Sequence, residues 1–294
     1  MSKLWLRIAE LRIGKPGQPG LDINGLRVKF SISKSSASTV NTASISVFNL
    51  SPAHRGMCED TGLSITLMAG YKGVPGQPGP FGVICQGNIN WTSSEKQGQD
   101  IVTTFEVQDG GTALREGSVN VSFGPGTTRK AVIDYLARKL AGDYGLTYNG
   151  MLLPLGMDPG QFVNGVVLSG DIKGLLDTYT KPLNIIWHIQ DGEILIGPRT
   201  IDIPGAVVVS KDTGMIGIPV KHIGQGVEVT SLLNPLIRPG KTIQIISSIS
   251  DKTNNLNGFY HVERAEYCGD TLEGDWTVKA ETLEQSQLSN YQAI

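Results

Sequence analysis

Apolar residues alternate with polar ones at both ends of this 294-residue chain, and that period of two is what most restricts its fold. Leu26, Val28, Phe30 and Ile32 alternate with polar neighbours, as do Ala43, Ile45 and Val47, before Asn49-Leu50-Ser51-Pro52 closes the unit. A period of two places one apolar row on one face of a strand, so these segments are half-buried sheet. Strands are predicted near 4–13, 26–33, 41–49, 63–71, 81–92 and 101–108, and again near 205–210, 226–233, 241–250, 258–268 and 275–283. Ser51 followed by Pro52 is a helix cap with proline at the first helical position, which predicts a short helix plugging or flanking the first β unit. Pro-Gly-Gln-Pro-Gly occurs at 16–20 and again at 75–79, both between predicted strands, and reads as a pair of rigid exposed turns.

Between the two β regions the period moves toward 3.6. Asp109-Gly110-Gly111 marks the change. Thr127 or Thr128 can cap a helix whose Val132, Ile133, Leu136, Ala137 and Leu140 form one apolar stripe, with Gly142 as its expected stop. A second helix starts near Asp171, carries Ile172, Leu175, Leu176 and Tyr179 on one face, and ends at Pro182. Two short strands, 184–190 and 193–196, are joined by Asp191-Gly192, a strong two-residue hairpin signal. The expected class is therefore mainly β with an α+β insert: 1–108 β, 109–198 α+β, 199–284 β, and a polar segment 285–294 without a fold of its own.

Composition narrows the function. The 25 Lys+Arg against 27 Asp+Glu leave a formal charge of −2, and no basic block is dense enough to neutralise a run of phosphates. The three cysteines, Cys58, Cys85 and Cys268, lie far apart without metal or disulfide spacing and read as buried thiols. The N-terminal residues lack a secretory core, and no window approaches the roughly 20 apolar residues of a membrane span, so synthesis in a cytosol is expected.

Chemistry-bearing constellations are sparse. His54, His188, His222 and His261 are isolated in sequence and lack metal-helix spacing. His188 lies on the strand face opposite Ile185, Trp187 and Ile189, so Trp187 is expected in a core and His188 toward solvent or another domain. Ser169-Gly170 lacks the glycine that a nucleophile elbow needs before its serine. Glu59, Asp60, Asp109 and Asp270 could be imagined as paired carboxylates, but Asp109 and Asp270 flank glycine and fit turns. Gly70-Tyr71-Lys72-Gly73 and Gly124-Pro125-Gly126 lack the spacing of phosphate loops. No catalytic residue, metal or cofactor is expected. Trp91, Trp187 and Trp276 sit among apolar strand neighbours and read as core, whereas Trp5 is free to pack against another chain. Leu288, Tyr291 and Ile294 recur at three-residue spacing in the polar end segment and could form a small apolar face against a partner.

Several short elements, in their order along the chain, resemble the baseplate hub proteins of contractile-tailed phages, which are related to the hub part of type VI secretion spikes. They are Asn49-Leu50-Ser51, Asp109-Gly110-Gly111, Leu232-Leu233-Asn234-Pro235, Pro239-Gly240, Asn257-Gly258-Phe259-Tyr260 and Gly269-Asp270. The resemblance implies two tail-tube-like β barrels flanking the middle domain. It also implies a homotrimeric ring in the virion, made in the host cytoplasm, that adapts the six-fold tail tube to a three-fold spike beside other baseplate subunits. DNA would then meet the protein only in transit through the lumen, and lysis would fall to another subunit. The competing readings are a carbohydrate- or peptidoglycan-binding module of a tail-tip or surface protein, and an unrecognised hydrolase; the four dispersed Trp weigh against a sugar-binding groove.

Overall fold

A computed structural model describes residues 6–15, 20–60, 62–74, 78–153, 156–199, 205–221, 226–247 and 256–284. The first β region forms β1 (Arg7–Gly14), β2 (Leu21–Asn24), β3 (Val28–Ser35), β4 (Asn41–Phe48), β5 (Ser64–Tyr71), β6 (Phe81–Gln97) and β7 (Asp100–Asp109), with helix α1 (Pro52–Met57) after β4. The middle contains α2 (Gly111–Glu116), β8 (Ser118–Phe123), α3 (Arg129–Tyr144), β9 (Val166–Asp171), α4 (Ile172–Thr180), a 3-10 turn at Lys181–Leu183, β10 (Ile186–Gln190) and β11 (Glu193–Gly197). The second β region supplies β12 (Val207–Ser210), β13 (Met215–Lys221), β14 (Val227–Leu232), β15 (Thr242–Ile246), β16 (Gly258–Asp270) and β17 (Trp276–Leu283).

Both β regions enter one sheet. Its strand order is β13-β14-β17-β16-β3-β4-β7-β6-β5-β1-β2, with β15 on β16 and β12 on β15. Among the described residues all ladders are antiparallel except β12 with β15. The regions meet where β16 pairs with β3, Arg264 opposite Ser35 through Asp270 opposite Lys29. One edge of β16 serves two strands in turn, β15 along 258–261 and β3 along 264–270. The two closed barrels expected from sequence are therefore corrected. Among the described residues no ladder closes on itself, and the two β regions share an edge because β3 and β16 pair in full register.

The alternation read from sequence explains the inner face. Val28, Phe30 and Ile32 on β3, Ala43, Ile45 and Val47 on β4, Ile65 and Leu67 on β5, Val227 and Val229 on β14, and Trp276, Val278 and Ala280 on β17 all point into one continuous core. The middle segment builds a second core of its own, from Ala113 to Ile196. α3 is capped by Thr128, whose hydroxyl accepts from the Ala131 amide, and α4 by Asp171, whose carboxylate accepts from Gly174 N–H. α3 runs past Gly142 to Tyr144 and stops at Gly145, which adopts the left-handed φ of 67° that a helix end favours. α1 buries no residue, so it flanks the sheet and does not plug it.

Candidate functional site

At one end of the sheet the inward row changes character. The apolar series on β3 ends in Lys34, the one on β4 begins with Asn41, and the one on β7 ends in Asp109. Asn41 lies directly opposite Asp109. All three are at most 4% exposed, and buried polar groups in such positions demand partners.

The partners come from the β10–β11 turn of the middle segment. Asp191 and Gly192 adopt φ values of 54° and 76°, the pair of left-handed residues that a tight hairpin turn of this kind uses. That turn presents both its amides to Asp109, whose carboxylate accepts from Asp191 N at 2.6 Å and Gly192 N at 3.1 Å. Lys34 Nζ donates to Asp191 Oδ1 at 2.5 Å, and Asn41 Nδ2 donates to the Ile189 carbonyl at 2.8 Å. Gly110, at φ 67°, lets Ile189 approach so closely that a Cβ there would sit 2.5 Å from its Cδ1. The boundary Asp109-Gly110 and the hairpin Asp191-Gly192, 82 residues apart, thus form one joint between the two cores.

Burial is the main reason the Asp109 carboxyl is pushed up to about 6; the neighbouring Asp191 charge adds to it, while Lys34 and the two amides oppose it. Beside this cluster, His188 and Gln190 lie on the face of β10 turned to the sheet, each 4% exposed. His188 packs against Gly240, its ring atoms 3.7 Å from where a Cβ would stand. Among the described residues, neither ring nitrogen of His188 nor the Gln190 carbonyl oxygen has a hydrogen-bond partner of good geometry, the nearby Gln190 side chain included. Burial, aided by His261 and Arg199 and opposed by Glu263 and Gln190, holds His188 down to about 4. Arg199 and Glu263, whose charges both act on His188, are paired with each other at 2.9 Å.

The voids at hand are small. The cavity beside Lys34, Asn41 and Asp109 is about 10 Å³, and one lined by Ile13, Leu21, Met57, Cys58 and Leu63 is about 170 Å³. Pockets for drug-sized ligands span roughly 300–1,000 Å³. Exposed apolar surface is more telling. β13, an edge strand, carries Ile216, Ile218 and Val220 at 43, 57 and 48% exposure. Among the described residues there is no group of three or more metal-ligating side chains and no helix long and apolar enough to cross a membrane.

The architecture has solved counterparts. The chain is similar to the tail protein from Neisseria meningitidis MC58, with a TM-score of 0.63 at 10% identity over 98% of this chain and 99% of that one. The fold is that of phage tail proteins. The 43 kDa tail protein of prophage MuSo2 from Shewanella oneidensis gives a TM-score of 0.62 at 10% identity, covering 95% of this chain and 99% of that one. The E. coli c3393 protein, a type VI secretion component with structural similarity to the T4 bacteriophage tail proteins gp27 and gp5, gives 0.58 at 10% identity, over 94% and 77%. No family model matches the sequence, and no curated protein does.

Within this tail-protein fold the singled-out residues fall in different places. Trp5, Leu288, Tyr291 and Ile294, and with them His222, lie outside the described residues, as do 16–19 and 75–77 of the two Pro-Gly-Gln-Pro-Gly turns. His54 is exposed on α1. Of the two orientations open to His188, the structure has the one toward another element, and Trp187 is in the core, its indole N–H donating to Asp177 at 2.6 Å. Trp276 is likewise buried, donating to the Gly70 carbonyl. Trp91 is a correction: a register shift between Ile89 and Trp91 turns it out of the core, leaving it 54% exposed. Cys58 and Cys85 are buried, and burial pushes their thiols up to about 11 and 12. Asp270 ends β16 and accepts from the Leu272 amide, as a turn residue should, and it also pairs with Arg27 at 2.7 Å. Burial disfavours its charge, but Arg27 and the turn amides outweigh that and hold its carboxyl below the usual range.

Lys34 and Asn41 went unread in the sequence. Their signal was phase: each stands where the alternation calls for an inward apolar residue.

Proposed function

We propose that this protein is a non-enzymatic structural hub of a phage tail baseplate, a homotrimeric ring that adapts the six-fold tail tube to a three-fold spike and forms part of the DNA conduit. The observation that carries the reading is the edge-to-edge union of two strand sets in one chain, β1–β7 and β12–β17, through β3 and β16. Three such chains offer six strand sets to a six-fold partner while keeping a three-fold face for a spike. In this reading residues 1–108 and 199–284 are tube-like units, 109–198 is the middle domain, and 285–294 is a tail. Trp5, Leu288, Tyr291 and Ile294 contact a neighbouring copy or the spike, and the protein resides in the virion. The tail-protein fold over 98% of the chain supports the reading.

A map of the assembled particle tests it. Three copies, each of 31.5 kDa, are expected at one ring level. Six copies or one at that position overturns the trimer and the symmetry adaptation with it.

A further inference from the structure

β13 is paired with β14 along one side, and no described strand pairs with its other side. Edge strands of this kind are usually guarded against strand addition, and β13 is guarded twice. Pro219 lacks an amide proton, and the register breaks between Ile216 and Val220, where Gly217 takes a φ of 71°. The guard acts on the backbone alone. Ile216, Ile218 and Val220 still expose three β-branched side chains within five residues, so what β13 offers is side-chain surface.

The chain itself delivers a segment to that surface. β17 ends at Leu283, and Glu284 is held 2.8 Å from Lys221, the last residue of β13. Glu284, the last described residue, therefore stands at the Lys221 end of the sheet, two strands from β13. Four extended residues from Glu284 to Leu288 reach up to about 14 Å. Val220 and Ile218 lie about 3 and 10 Å back along the strand from Lys221 and two strand spacings across from β17, so about 10 and 14 Å away, which the segment just spans. Tethering at Glu284 raises the local concentration of the segment to the order of millimolar, enough for a weak apolar contact to be occupied.

We propose that residues 285–294 dock on β13 of their own chain, Leu288, Tyr291 and Ile294 covering Ile216, Ile218 and Val220. A three-residue recurrence does not fit the two-residue period of a ladder strand, in keeping with the backbone guard. These are the side chains assigned above to a partner, so β13 shelters them until assembly. The docking itself does not depend on the hub reading.

Paired cysteines test it directly. In a Cys268→Ser background of the full chain, Ile218→Cys with Leu288→Cys is expected to oxidise to an intramolecular disulfide that migrates as a compact monomer on a denaturing gel. A dimer-sized product, or no cross-link, overturns docking within the chain. A second readout needs no new cysteine. Ending the chain after Glu284, or changing Leu288, Tyr291 and Ile294 together to Ser, is expected to raise binding of an apolar dye about two-fold and to speed amide exchange across 215–221. Unchanged dye binding and exchange in both variants overturns the proposal. Neither result bears on how many copies the particle holds, so the two readings fail separately.

Discussion

At the scale of single residues, the joint between the two cores sets a pH dependence of opposite signs. The Asp109 carboxyl, at about 6, is raised above its ordinary value, so the folded state holds that proton more tightly, and the stability it contributes is present at low pH and lost as pH rises through 6. His188, at about 4, is lowered; its contribution is present above its ordinary value near 6.5 and lost as pH falls toward 4. The two oppose each other across the mildly acidic range. Asp109→Asn removes one of them, so on going from pH 7 to pH 5 the stability gap should move in favour of the wild type by about 1 kcal/mol. Urea unfolding at the two pH values measures this; a gap that stays constant or moves toward the variant refutes the assignment. Asp109 was legible in sequence as a turn residue only. Its role as acceptor for a turn 82 residues away was not, because a hydrogen bond between distant segments leaves no local pattern.

At the scale of elements, β16 is the strand that holds the two regions together, and Gly269 is its narrowest point. Gly269 stands opposite Phe30 on one side and Trp276 on the other. Without a side chain there, the two rings meet edge to face across the strand, 5.3 Å between centroids. A Cβ would lie 2.3 Å from Phe30 and 2.7 Å from Trp276. Neither ring can give way without leaving a fully packed core, so Gly269→Ala should cost about 1–3 kcal/mol in thermal or chemical unfolding. A loss below about 0.5 kcal/mol would show that the ring contact does not set the strand spacing. Elements with clean alternation, such as β3, β4, β5 and β17, stood within two residues of their predicted positions. Those that went unread were β2, which is four residues long, the β8–β9 pair, α2, and β13, whose Gly217 and Pro219 interrupt any strand pattern. Edge strands tolerate such residues because one side needs no ladder.

At the scale of the whole molecule, near-neutrality has a consequence for a conduit. With 25 basic and 27 acidic residues, and Lys34, Arg27 and Arg199 already engaged with carboxylates, the protein should show no salt-resistant grip on duplex DNA. A mobility-shift titration at physiological salt checks this, and retention of tight binding there would displace the conduit role. By itself the sequence determined the class of each region: period two made the ends sheet, the capped stripes of α3 and α4 made the middle α+β, and the near-balanced charge left no dense basic block in the sequence. These are properties of ten-residue windows, where burial on one face fixes the period of apolar residues. Only the tertiary structure decided that β3 and β16 pair, so that what read as two β units became one sheet around one core. It alone also decided that Lys34, Asn41 and Asp109 would be buried beneath the Asp191-Gly192 turn. Which edge meets which, and which buried charge finds which partner, depends on complementarity between segments more than eighty residues apart, and no window of the sequence contains both halves.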